Sequence, residues 1–320
     1  MRKTLWSLVL AVVVYTALVF LGDVRSVGSA LSSMDLSMVP LFLSLSLANY
    51  FLRFLKWHYF LRRVRVRLPW KESLGVFLAG FSMTVSPGKL GELLKCYLLR
   101  ERRGVPVSRT SPVVIAERIT DLISMLLIAM AGLLMVRHRG AVLAVAAGAL
   151  AVLAVMVLLL WGRAFRMLTG LACRIRKLRE RRGSLEDFQK HCCSLLDLRS
   201  LAVTVPLGML SWGAEAMVLC LVSMSMGLDP PLSVGVALLA HSAGTVAGAV
   251  SMVPGGLGLT EITIGAILTL SMSRPDAAAT TLIMRFSTLW FAVVLGVAVL
   301  SLIGGSGTAG LGEECRKEDG

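Results

Sequence analysis

The chain has 320 residues, of which 56% are hydrophobic and 16% charged, with a net charge of +14. Soluble domains carry roughly 25% charged residues, and several apolar runs reach the ~18–20 residues that cross a bilayer as helix, so a water-soluble protein is excluded. The basic residues bunch in short stretches beside apolar runs, which is what membrane insertion leaves in cytoplasmic loops, so no nucleic-acid partner is expected. Strand-length alternating segments are lacking, which gives no support to a β-barrel. The fold class is an all-α polytopic membrane protein. Six cysteines without C-x-x-C or His–Cys spacing predict no disulfide and no metal, and no other cofactor is indicated.

In chain order, Arg2 and Lys3 precede an apolar run at 5–21. The run is longer than a signal-peptide core, and Asp23 and Arg25 come before the small residues that could be cleaved, so a retained first span is favoured. Residues 39–61 form the second span. Asn49, Arg53 and Trp57 recur every four residues and share one helix face. Lys56 and Trp57 read as an interfacial anchor, while Arg53, deeper in the span, suits either an interior role or snorkelling. A basic loop at 62–71 follows and is placed in the cytoplasm.

Residues 73–86 are too few to cross alone, at about 21 Å of helix. After Pro87-Gly88 the apolar pattern resumes to Leu99 and ends in a second basic cluster at 100–103. Two basic loops on one side make 73–100 a re-entrant helical hairpin. The alternative is one kinked span with the second cluster outside. Residues 112–136 form a full span containing Glu117, Arg118 and Asp121, and ionisable groups so close within a span normally face protein or a polar cavity. Their spacing also allows both carboxylates to flank Arg118 as internal glue. A short outer turn and a span at 141–161 lead to the basic segment 162–200, which suits a cytoplasmic linker drawn to anionic headgroups.

Residues 201–226 cross outward and contain Glu215. A second hairpin spans 232–270, opening with small residues that permit close helix packing and broken at Pro254-Gly255-Gly256. Residues 278–303, containing Arg285, form the last span. Hydropathy thus marks eight segments, read as six full spans and two re-entrant hairpins with both termini in the cytoplasm. The N-terminal half is 1–161, the C-terminal half 201–303, and 304–320 is a polar tail.

The motif Pro87-Gly88-Lys89-Leu90-Gly91-Glu92 is echoed by Pro254-Gly255-Gly256-Leu257-Gly258 with Glu261, and the same offset carries Arg118 onto Arg285. Each half therefore reads as one copy of a diverged repeat with an interrupted helix at its centre, the two copies inverted in the membrane. Pro lacks an amide hydrogen and Gly accepts unusual backbone angles, so Pro-Gly stops one helix and frees the N-terminus of the next. Such a terminus carries unpaired N–H groups and a positive dipole end that suit a phosphate. Broken backbone within a bilayer needs protein or a polar cavity around it. The two breaks are thus expected to converge on one cavity. There Arg53, Lys89, Arg118 and Arg285 would meet an anionic headgroup, with Glu92, Glu117, Asp121 and Glu261 as counter-charges; a kink without a ligand is the plainer alternative.

Arg53-x-x-Lys56-Trp57, the 86–95 run S-P-G-K-L-G-E-L-L-K, Glu117-Arg118-x-x-Asp121, and in the second half Pro254 to Gly258, Glu261, Arg285 and Trp290 resemble the lysylphosphatidylglycerol synthase transmembrane-region family, also described as flippase-like or YbhN-type. The resemblance covers about residues 5–303. It implies a multi-pass protein of the cytoplasmic (inner) membrane, similar to the domain that flips aminoacylated phosphatidylglycerol. The larger family members carry a soluble synthase domain after the last span, where this sequence has only the 304–320 tail. The expectation is therefore not an enzyme but a flippase-like lipid transporter whose partners are membrane lipids, either an anionic phospholipid or a polyprenyl- or glycolipid headgroup, and a lipid-modifying enzyme. The alternatives are a lipid-modifying membrane enzyme using Glu92, Glu117 or Asp121 as acid or base, and a non-catalytic membrane subunit.

Overall fold

The computed structural model describes residues 24–85, 92–136, 182–251 and 253–303. The expected spans at 5–21 and 141–161, the Pro87-Gly88-Lys89 break, the first part of the linker and the 304–320 tail lie outside these residues. Among the described residues all regular structure is helical: α1 (Val24–Ser32), α2 (Val39–Arg63), α3 (Trp70–Ala79), α4 (Leu94–Arg103), α5 (Val107–Val136), α6 (Arg182–Leu195), α7 (Leu198–Ser225), α8 (Val234–Val250), α9 (Leu259–Leu268) and α10 (Arg274–Ile303). Four of them, α2 with its preceding turn, α5, α7 and α10, are long and apolar enough to cross a membrane. They coincide with the expected spans at 39–61, 112–136, 201–226 and 278–303.

Local chemistry sets the helix ends. The Asp197 carboxylate accepts the Ser200 N–H at 2.9 Å and starts α7. Ser233 caps α8, and Ser273, followed by Pro275 and Asp276 in the first turn, caps α10. Helix α4 closes with Arg100, Arg102 and Arg103 on its negative dipole end, and Gly104 takes the left-handed conformation that ends it.

The two expected hairpins are built from short helices. Helices α3 and α4 have 10 residues each, about 15 Å. In the second, α8 has 17 residues and α9 has 10, so neither reaches the ~30 Å of a bilayer core. Between α8 and α9 the chain runs extended at Val253 and then makes a single tight turn through Pro254. Gly255 and Gly256 there have φ of 62° and 69°, angles at which a side chain would be strained.

Helix α8 is the packing centre of the second half, against α5, α9 and α7, while α7 lies along α2. Apolar side chains gather in two large clusters and two small ones. The first large cluster contains Phe54, Trp57, Phe60, Phe77, Leu99 and Ala292; the second contains Phe42, Leu219, Val222, Ala237, Ile264 and Ala279. Polar side chains interrupt this packing at Asn49 and Arg53 on α2, Ser211 and Glu215 on α7, and Arg285 and Thr288 on α10.

Two outcomes test this packing. A Cβ on Gly132 would lie 2.7 Å from the Gly235 carbonyl oxygen, whereas one on Gly213 meets nothing within 4 Å. Gly132→Ala should lower the melting temperature of the purified protein, while Gly213→Ala, which gains up to about 1 kcal/mol of helix propensity, should hold or raise it. The second outcome concerns Asp197, outside the spans. Hydrogen bonds from Ser200, with Arg63 2.6 Å away, hold its carboxyl below the usual range. A depressed folded-state value means the stabilisation is present near neutrality and lost as pH falls through that value. Asp197→Ala should cost about 1 kcal/mol at neutral pH, and its melting curve should converge with that of the unmutated protein in acid.

Candidate functional site

The charged side chains of the interior form a connected network. Asp121 on α5 is its junction. Its carboxylate pairs with the ammonium of Lys56 on α2, accepts the indole N–H of Trp212 on α7 at 3.0 Å, and lies 2.8 Å from the Arg118 guanidinium. Arg118 also reaches the Glu92 carboxylate at 3.0 Å; both Arg118 contacts are ion pairs without hydrogen-bond alignment. Glu117 turns away from Arg118 and accepts from Lys95 of α4 at 2.7 Å. The same ammonium lies 4.3 Å from the centre of the Trp57 ring, so it is held by a carboxylate and an aromatic face together.

The second half has its own knot. Arg285 on α10 donates from Nε to Glu261 at 2.6 Å and from Nη2 to the Gly255 carbonyl at 2.7 Å. The other Glu261 oxygen accepts the Gly258 N–H at 2.7 Å, closing the first turn of α9 as a capping box does. One guanidinium thus fixes the backbone break and the helix that follows it. The α9 terminus spends an amide on its own glutamate.

A cavity of about 140 Å³ opens among these side chains. Arg53, Glu92, Arg118, Gly255, Gly256 and Arg285 line it, together with Tyr50, Lys95, Trp212, Glu215 and Thr288. Glu117, Asp121 and Glu261 stand behind the lining and neutralise its cations, and Pro254 shapes the break without facing the cavity. Pro87, Gly88 and Lys89 fall outside the described residues. Arg53 projects with its guanidinium carbon 4.8 Å from the centre of the Trp212 ring and 5.5 Å from that of Phe81. Glu215, 8% exposed, has the Thr288 hydroxyl beside it. Asn49 donates to the Ser211 carbonyl at 2.8 Å.

Lys56 requires a correction. The sequence reads it as an interfacial anchor, but it is 1% exposed and ion-paired to Asp121. A lysine deep in an apolar span near an aspartate on another span fits that role once the helices are packed. Trp212 and Glu215 line the candidate site although no motif marks them, and Lys95, the last residue of the 86–95 motif, joins them without having been read as a site residue. The lone carboxylate in the apolar 201–226 run was the signal available for Glu215. His241 and Ser242 on α8 keep polar atoms without hydrogen-bond partners among the described residues, and the structure offers no physical reason for them.

Long apolar helices around a charged internal cavity define an α-helical multi-pass membrane protein with a polar site enclosed by its spans. The chain belongs to the family described as lysylphosphatidylglycerol synthase TM region, whose model matches residues 8–296. It is similar to a UPF0104 membrane protein of Pyrococcus horikoshii, PH1989, with 24% identity over 268 residues, 75% of this chain and 79% of that relative.

The Lys56–Asp121 pair gives the sharpest test of the network. Removing one partner of a buried pair costs about 3–5 kcal/mol, whereas replacing both with well-packed apolar groups is often neutral. Lys56→Met should strongly destabilise the protein in thermal melts. Lys56→Met combined with Asp121→Leu should recover much of the loss, short of the hydrogen bond from Trp212.

Proposed function

We propose that the protein carries the phosphate-bearing headgroup of a lipid across the bilayer while the hydrocarbon tails stay in the membrane. The observation that supports this is the cavity itself, lined by charged side chains and a broken helix. Charged groups in such a position are costly unless they serve an interior polar path, and broken backbone is tolerated where it borders one. In this reading α3–α4 and α8–α9 are re-entrant hairpins of two inverted repeats, six spans complete the fold, both termini are cytoplasmic, and a separate enzyme modifies the lipid. The expected phosphate ligands Arg118 and Arg285 both line the cavity. Arg118 reaches the cavity while tied to Glu92, and a phosphate competes with Glu92 for its guanidinium.

Reconstitution into vesicles containing an acyl-labelled phospholipid tests this. With protein present, a membrane-impermeant quencher should reach label in both leaflets, and Arg118→Gln should slow the inner-leaflet phase by at least about tenfold, which corresponds to about 1.4 kcal/mol of barrier. Inner-leaflet label that stays protected in vesicles holding folded protein would refute the proposal. The internal pairing of Lys56, Lys95 and Arg285 favours a second reading, a non-catalytic membrane subunit, and in that case no lipid moves.

A further inference from the structure

Helix α10 runs from Arg274 to Ile303, but its hydrogen bonding changes on the way. From Phe286 to Trp290 it widens into a π turn, where the Phe291 amide reaches back five residues to the Phe286 carbonyl. The Tyr50 hydroxyl of α2 donates to the Thr288 carbonyl in that turn and has the Ala292 amide beside it. In an α-helix those two backbone groups would bond each other. The hydroxyl therefore occupies a gap in the ladder. The Thr288 side chain also donates back to the Met284 carbonyl at 2.9 Å, a contact that bends helices. A π turn and an inserted side chain are both places where helices kink.

The two ends of α10 belong to different bodies. Before the π turn, Ala278, Leu282 and Met284 pack in the second large cluster, and Arg285 holds Glu261 and the Gly255 carbonyl. After it, Ala292 belongs to the first large cluster, with Leu295 and Val299 packed against that cluster. There α10 is fitted to α3 and α4. A Cβ on Gly296 would lie 2.7 Å from the Phe81 carbonyl carbon, Ile303 lies against Gly75, and Arg102 of α4 donates to the Ile303 carbonyl at 2.8 Å. The Tyr50 ring sits with this body, 5.0 Å from the Phe81 ring and 6.0 Å from that of Phe291. The cavity takes its lining from both bodies, Gly80 and Phe81 from one and Gly255 and Gly256 from the other, with Leu289 and Ala292 from the joint.

We infer that the π turn of α10 is a hinge between these two bodies and that the Tyr50 hydroxyl is its latch. With the hydroxyl in the ladder, α9 and the glycine turn are held at one angle to α3 and α4. When it withdraws, the joint loses the bond that fixes this angle, the bodies swing, and the width of the cavity between them changes. The hinge rests on packing and hydrogen bonding alone, whatever the cavity carries, and so goes beyond the transport reading.

Double electron–electron resonance on the full chain in lipid nanodiscs reads the angle as a distance. Spin labels are attached through p-acetylphenylalanine introduced at Met83 and Ile262, both exposed, which leaves the cysteines unlabelled. The unmutated protein should show one main distance and a minor second one, as a two-state element does. Tyr50→Phe keeps the ring against Phe81 and Phe291 and removes only the latch. It should raise the second population about tenfold, equivalent to ~1.4 kcal/mol. Deletion of Phe286, an exposed residue of the π turn, removes the one residue by which that turn exceeds an α turn and leaves both flanking faces in register. It should abolish the second population while the melting temperature holds or rises.

A π turn with a structural role only gives a different pattern: Tyr50→Phe lowers the melting temperature and leaves the distances as they were. That result overturns the hinge, as does a folded Phe286 deletion that keeps the second population. The vesicle measurement separates the hinge from transport. Where the unmutated protein moves lipid, the Phe286 deletion should slow the inner-leaflet phase about tenfold, again ~1.4 kcal/mol. Lipid that moves through no variant, with the distances responding as stated, removes transport and leaves the hinge. Lipid that moves as fast through the deletion variant removes the hinge and leaves transport.

Discussion

The carboxylate of Asp121 is the constraint on which the arrangement depends. A charge withdrawn from water must find partners at fixed positions or it destabilises the fold by several kcal/mol. Asp121 finds three, one from each of α2, α5 and α7. Apolar packing alone would let these helices slide or rotate at small cost, because lipid tails compete equally well for their surfaces. The shared carboxylate fixes their register, and with it the place where Arg53 and Trp212 meet. Arg285 performs the same service for α9 and the glycine turn through Glu261 and the Gly255 carbonyl.

Two kinds of charge result. Those behind the cavity wall are spent on one another and hold the helices in place. Those at its surface are tied to a carboxylate behind it, as Lys95 and Arg285 are, lie over aromatic faces, as Arg53 does, or lie partly open, as Arg118 and Glu92 do.

Much of the fold was legible from composition and run length, because α2, α5, α7 and α10 each hold enough apolar residues to be recognised without knowing their neighbours. The broken helix at Pro254 was equally readable, since Pro followed by two glycines has few other conformational uses. Pairing was not. Glu117 and Asp121 both lie within reach of Arg118 by helical spacing, yet Glu117 joins Lys95 on α4. Lys56 looks like an anchor until α5 is packed against α2. Spacing reports which residues share a face; it does not report what that face meets, and a lone charge in an apolar run takes its meaning from another helix.

The balance of the polar core has an electrical consequence. Each elementary charge carried through a 100 mV potential exchanges about 2.3 kcal/mol with the field. The four tied pairs, with Arg53 and Glu215, sum to zero among the described residues. If this core shifted as a block between the two faces of the membrane, the resting voltage would do no net work on it, and its motion would run equally well in polarised and depolarised membranes.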